Sequence, residues 1–406
     1  MRQIIFLLIT IVSLTSCRDS SNKVRKNDVL VDKYILPPDA TPIVYSGYIH
    51  ISTDVDGVQG NFLLDAGAYN IFLDSIFYKS NNFGYDNTFE DEISGIGNGL
   101  QPITVIEDKV NISFGNLQYE TSSLPVLNLK SIGGDDVDGL IGIDFFFDAV
   151  LEINYLKQYY RTYATIDQIY IFDYKILPLE IIDHYFCIPL TVKINSSTSI
   201  TGKFIIDTGS PISAITSSVA RSNDLDKKIE SKVYYYTEYG GIGGESSCFD
   251  FIADTVQISN FYLSDVNMSY SADTAGVLER GEYLGILGNN ILERFDLVMD
   301  FNNNNLYIKP NETFSKPYIF DRTGFTHVDR CKTMGGWIVT GLTENSAVEK
   351  LGLRIDDIII SVNEIPVEEI SYEIQNHYFD NLDQVSLVIK SPEGLKNIEF
   401  ELAPLL

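Results

Sequence analysis

Apolar residues fall in short runs along this chain, many alternating with polar ones, and no stretch before Pro310 holds a long helical period. That pattern predicts a mainly β protein. Pro42 to Ser52 alternates Ile43, Tyr45, Tyr48, Ile49 and Ile51 with small or polar residues, and Val58 to Leu64 then runs into Asp65. The pair reads as a hairpin that delivers an acid at a strand end. Ile71 to Ser75, Val105 to Phe114, Leu117 to Leu129 and Val150 to Asn154 predict further strands. After a connection at 166–184 the series starts again. Phe186 to Ile194 and Ile200 to Ile206 flank a polar tip at Asn195 to Thr198 and end at Asp207. Ser218 to Leu225 predicts a short helix, and Leu297 to Phe301, an asparagine turn and Leu306 to Ile308 predict a closing strand-turn-strand.

The two series match at fixed landmarks. Phe62-Leu63-Leu64-Asp65-Ala66-Gly67-Ala68 parallels Phe204-Ile205-Ile206-Asp207-Thr208-Gly209-Ser210. Gly95-Ile96-Gly97 recurs as Gly241-Ile242-Gly243, and Gly139-Leu140-Ile141-Gly142 as Gly285-Ile286-Leu287-Gly288. Between the two glycine landmarks the interval is the same, 47 residues in each copy (142 − 95 and 288 − 241). Asn154 and Asp300 close apolar runs at equal distances beyond. An internal duplication accounts for this order.

These paired landmarks resemble an aspartic protease of the retropepsin and pepsin type across about residues 42 to 310. The resemblance implies a two-lobed, acid-protease-like β-barrel fold, with lobe 1 at 42–165 and lobe 2 at 185–312. It also implies an endopeptidase in which Asp65 and Asp207 share a proton and activate water, without metal or cofactor. Ala66, Gly67, Ala68, Thr208, Gly209 and Ser210 would form the supporting loops. Gly95, Ile96, Gly97, Gly241, Ile242 and Gly243 would lie at flaps or the turns beside them. One position departs from the family pattern: Thr208 carries the hydroxyl that bonds across to the other loop, and Ala66 has none. A non-catalytic, membrane-tethered scaffold that binds peptides in the cleft and in the groove of the C-terminal PDZ-like unit is therefore the rival reading. Within the pair, Ser210 is expected to hydrogen-bond the outer oxygen of Asp207 and favour its ionised form, which puts the proton on Asp65.

After Pro310 the pattern changes. Gly335-Gly336-Trp337-Ile338-Val339, then Asn345 to Leu353, then Asp356 to Asn363 is similar to a bacterial PDZ domain, placed at 313–406 as an α/β unit. Asn345 or Ser346 caps a short helix ended by Gly352, Ile358 to Val362 forms a buried strand, and Glu373 to Phe379 a second helix. The glycines ahead of Trp337 are expected to offer backbone N–H groups to a peptide carboxylate, and the strand starting at Trp337 and Ile338 to take the peptide, by its C-terminus or an internal segment, as an added strand. Because both copies are complete by then, the chain before this unit is expected to fold without it.

At the N-terminus Arg2 precedes an apolar run from Ile4 to Val12, too short to span a bilayer, that leads to Leu14-Thr15-Ser16-Cys17. This resembles a bacterial lipoprotein signal at 1–17, with lipidation of Cys17, a tether at 18–41, and anchorage to the cell envelope. A formal charge of −27 over 406 residues argues against nucleic acid as partner. Cys187, Cys248 and Cys331 show no ligand spacing, and the four histidines are scattered, so no metal is assigned. Cys187 and Cys248 either pair or remain buried thiols.

Overall fold

The alternating runs become the strands they predict. The computed structural model describes residues 35–406 apart from residue 147; the signal segment 1–17 with Cys17, and the tether as far as residue 34, lie outside the described residues. Ile49–Val55 and Val58–Leu64 form an antiparallel hairpin with Ile51 opposite Phe62. Tyr185–Asn195 and Thr198–Ile206 form its counterpart, with Cys187 opposite Ile205. A later strand joins each hairpin in parallel, Gly139–Ile141 beside Phe62 to Leu64 and Gly285–Leu287 beside Phe204 to Ile206. A strand with neighbours on both edges and packing on both faces has to be continuously apolar, and these are. The leading glycines allow the close approach: a Cβ on Gly139 would stand 2.1 Å from the Phe62 ring, and one on Gly285 2.0 Å from the Ala214 carbonyl oxygen.

Three sheets result among the described residues, of ten, six and fourteen strands. The ten-stranded sheet holds the first series. In the six-stranded sheet the two series meet, because Val150–Asn154 pairs with Phe295–Asp300, Val150 opposite Asp300 and Ile153 opposite Leu297. The fourteen-stranded sheet begins in the second series and continues into the C-terminal segment, where Trp337–Thr343 pairs with Val233–Thr237. One apolar core runs through both series; a separate one, built around Trp337, Val339, Ile359, Leu387 and Phe400, belongs to the C-terminal segment.

The helices are short, and their limits have local causes. The strand predicted at Ile71 to Ser75 stops at Asp74, whose carboxylate accepts the N–H groups of Ile76 and Phe77 and caps the helix Ser75–Asn81. Instead of one helix at Ser218 to Leu225 there are two, Ser217–Ser222 and Leu225–Lys228, divided at Asp224 with φ +52°. The helix predicted at Glu373 to Phe379 is confined to Tyr372–Gln375. Cys187, Cys248 and Cys331 are free thiols. No helix among the described residues is long and apolar enough to cross a membrane.

Candidate active site

Each acid is fixed at its strand end by the parallel neighbour. The Asp65 N–H donates to the Ile141 carbonyl and the Asp207 N–H to the Leu287 carbonyl, both at 3.0 Å. The chain then turns back over each carboxylate: Gly67 and Ala68 donate N–H bonds to Asp65 Oδ1 at 2.8 and 3.1 Å, and Gly209 donates to Asp207 Oδ1 at 2.9 Å. The two carboxyls lie close enough that each shifts the titration of the other. The loops interlock so tightly that each glycine clears the opposite acid. A Cβ on Gly67 would lie 2.5 Å from Asp207 Oδ1, and one on Gly209 2.2 Å from Asp65 Cγ.

The loops are also tied by one hydroxyl. Thr208 Oγ1 accepts the Ala66 N–H and donates to the Leu64 carbonyl, both at 2.8 Å. Ala66 has no group to return the bond. Ser210 does not act as its sequence position suggests. Its Oγ donates to the Ile212 carbonyl at 2.8 Å, and a hydroxyl has a single proton to give, so none is left for Asp207.

The Ser210 hydroxyl therefore gives no ground for putting the proton on Asp65, and the backbone bonds favour the other placement. Burial, then the neighbouring Asp65 charge, pushes the Asp207 carboxyl well above the usual range. Burial raises Asp65 too, but the N–H bonds from Gly67 and Ala68 offset part of it. Hydrogen bonds to the charged form favour that form, so Asp65 is the better carboxylate and Asp207 the better proton holder.

The two glycine landmarks meet each other. The Gly97 N–H donates to the Ile242 carbonyl at 3.0 Å, and the Gly99 N–H to that of Gly243 at 2.8 Å. Ile96 packs on a cluster of the second series that includes Ile205, Leu278 and Ile286, whereas Ile242 packs on one of the first series that includes Leu63, Phe72 and Leu140. All six landmark residues, Gly95, Ile96, Gly97, Gly241, Ile242 and Gly243, are thus at one junction.

Several residues at the site escape a sequence reading. Tyr48 and Tyr185 stand two positions ahead of His50 and Cys187, whose partners are Leu63 and Ile205, and so occupy corresponding places. Burial and the charges of Asp207 and Asp65 push the Tyr48 phenol up to about 12 and raise that of Tyr185 as well. The second hairpin is longer than the first, which hides this correspondence along the sequence. Asn289 is fully buried; its Nδ2 donates to the carbonyls of Thr208 (2.7 Å) and Gly47 (2.8 Å), and its Oδ1 accepts the Tyr155 hydroxyl. Asn98 grips the far side of the junction, its Oδ1 accepting the N–H groups of Thr274 and Ala275 and its Nδ2 donating to Asp273. Asn289 follows Gly288 directly and Asn98 follows Gly97, but adjacency to a landmark was the only available signal.

The C-terminal residues expected to receive a peptide are otherwise engaged. Gly335 ends the short helix Cys331–Met334 with φ +80°, and its N–H donates to the Arg330 carbonyl at 3.1 Å. A Cβ on Gly336 would be 2.4 Å from the Ile359 carbonyl oxygen. Trp337 is buried with its ring stacked on His327 at 4.2 Å, and Ile338 is buried too. The strand Trp337–Thr343 has Phe325–Asp329 on one edge, and Ile358–Val362 and Val233–Thr237 on the other. Both edges being paired, it has no place for an added strand, which corrects the expectation for Gly335, Gly336, Trp337 and Ile338.

Among the described residues no group of three or more His, Cys, Asp or Glu side chains is arranged to hold a metal ion. A family model described as aspartyl protease matches residues 190–291, so this region resembles that family, and the matched region includes Asp207 and Gly285 to Gly288. No curated protein matches the chain.

Proposed function

We propose that the protein is an aspartic endopeptidase of two duplicated lobes, 42–165 and 185–312, joined by 166–184, each with an acid-protease-like β-barrel architecture, with Asp65 and Asp207 as its catalytic pair. The observation that carries this reading is the close approach of two strand-end carboxyls, each pressed against the glycine of the opposite loop. Like charges in such contact cannot both ionise, so one proton is shared; aspartic proteases are the standard case of this behaviour. In the proposed reaction Asp65, as carboxylate, takes a proton from water while the water oxygen bonds to the peptide carbonyl carbon. Asp207 gives its proton to the carbonyl oxygen, producing a neutral tetrahedral diol. Asp65 then returns its proton to the amide nitrogen, the C–N bond breaks, and one diol hydroxyl returns a proton to Asp207, which restores the pair. Gly95 to Gly97 and Gly241 to Gly243 stand at the flap tips that cover the substrate.

The rest of the reading concerns location. The Leu14-Thr15-Ser16-Cys17 sequence supports lipidation at Cys17, a tether to about residue 41 and attachment to the bacterial envelope. The segment 313–406 is assigned a PDZ-like fold on its sequence pattern. A second reading, a peptide-binding scaffold without catalysis, is favoured by one observation: Ala66 supplies no hydroxyl, so the loops share one threonine tie.

The deciding experiment is incubation of the chain from about Ser20 onward with a mixed peptide library at several pH values. Cleavage that disappears in both Asp65→Asn and Asp207→Asn supports the peptidase. Binding without cleavage in the parent protein supports the scaffold.

A further inference from the structure

We infer that the gate over the acidic pair opens from one side: the hairpin Thr88–Ser94 with Leu100–Ile106 is the moving lid, and the C-terminal segment fixes the opposite hairpin as a stationary jamb. What passes through the gate rests on the peptidase reading; the difference in mobility does not.

The two hairpins carry matching tips, yet their strands are held very differently. Thr88–Ser94 is the last strand of its sheet and pairs only with Leu100–Ile106. All of its residues are exposed except Ile93, which is half-buried. The next strand inward, Leu124–Leu127, reaches only Thr104, Val105 and Ile106, so the outer part from Leu100 to Ile103 has no second neighbour. Beyond its own strands this hairpin is held at the tip, by the bonds of Gly97 and Gly99 to the opposite tip, the Val277 N–H to the Gly95 carbonyl and the grip of Asn98 on 273–275, and on one face by Ile93 and Ile103 against the Leu63, Phe72 and Leu140 cluster.

Val233–Thr237, the corresponding strand of the second hairpin, is an interior strand. Ser246–Ile258 lies on one edge, and on the other Tyr235, Tyr236 and Thr237 face Thr343, Leu342 and Gly341 of the C-terminal segment. Side chains bolt the same seam. Thr237 Oγ1 donates to the Thr340 carbonyl at 2.7 Å, Tyr235 and Thr326 share a hydroxyl bond at 2.8 Å, and Tyr239 donates to Asp356 at 2.6 Å. Gly341 permits this contact, since a Cβ there would fall 2.0 Å from the Tyr235 hydroxyl. The C-terminal segment is braced in turn on the first series, where Arg330 pairs with Asp135 at 2.8 Å and Tyr372 bonds His50 at 2.8 Å. Swinging the second hairpin outward breaks a sheet ladder and this seam together; swinging the first breaks its tip contacts and the packing of Ile93 and Ile103 on the Leu63, Phe72 and Leu140 cluster, but no ladder along its outer strand. Segments with few buried contacts and exposed backbone bonds open first.

Amide hydrogen exchange on the full chain reads this directly and needs no catalysis. Exchange of Thr88–Ile106 at least about tenfold faster than that of Val233–Thr237 is expected. Asn98→Ala should accelerate the first set further and leave Val233–Thr237 unmoved. Matched rates in the two hairpins of the wild-type protein overturn the inference, as does equal acceleration of both by Asn98→Ala. An inactive pair in the peptide assay would leave these exchange results standing.

Discussion

The Ala66 N–H reaches across to Thr208 Oγ1 at 2.8 Å, and the same hydroxyl donates to the Leu64 carbonyl, so a single side chain ties the two acidic loops. In Thr208→Val the shape is kept but a buried N–H and a carbonyl lose their partner, at a cost of about 1–3 kcal/mol. Urea unfolding should show that loss. Ala66→Ser, which restores a second hydroxyl, should raise stability by up to about 1 kcal/mol if it finds the matching carbonyl of Ile206; no gain means that the symmetric tie does not form.

Proton placement gives a second test. Because Ser210 Oγ is spent on Ile212, Ser210→Ala should leave the upper limb of the pH-rate profile unmoved. A shift of that limb upward, as expected on losing a donor to a carboxylate, would show that the hydroxyl turns to Asp207 during the reaction.

The same pair sets a pH dependence of stability. Asp207 has a folded-state pKa above its unfolded value, so the native state binds the extra proton. Its contribution is complete below the ordinary carboxylate range of about 4 and is lost as pH rises through the folded value. Asp207→Asn should therefore be more stable than wild type at neutral pH while losing cleavage. Thermal unfolding across pH 4 to 8 would register this as a flatter profile, and a parallel one would contradict it.

His50 acts in the opposite sense. Asn61 Nδ2 donates to its Nδ1, Nε2 faces the Tyr372 hydroxyl, and burial lowers its pKa to about 4. Neutral His50 thus contributes stability above its unfolded pKa, about 6.5, that is lost as pH falls toward 4, at up to about 1.4 kcal/mol per pH unit. His50→Gln should lose less stability than wild type over that interval. Equal acid sensitivity would assign the effect to other groups, first among them His327, which burial also lowers to about 4.

The Arg330–Asp135 pair, with side chains 15% and 4% exposed, joins the C-terminal segment to the first series. Asp135 also accepts bonds from Thr333, so Arg330→Met leaves its carboxylate buried with fewer partners. A loss of about 1–3 kcal/mol is expected in denaturant unfolding. A change within about 0.5 kcal/mol would mean that the pair behaves as a surface contact.

The same contacts bear on the expectation that the chain before residue 312 folds independently. The seam at Val233–Thr237 and the bonds at Asp135 and His50 show that the C-terminal segment is part of the packing around both series.

By itself the sequence determined what repeats: two apolar strands ending in acids, the glycines beside them and the six residues of the junction. These are local requirements, because a buried strand must be apolar and a backbone crossing must be glycine, and both leave marks in residue type. Tertiary structure decided what depends on a partner distant along the chain. Ser210 has the composition of a carboxylate donor, but the nearby Ile212 carbonyl takes its only proton. Trp337 to Thr343 reads as a receptive strand, but Val233–Thr237 and Ile358–Val362 already occupy its edge. Which hydroxyl is spent and which edge is filled are fixed by geometry between separated segments, and no single residue type records either.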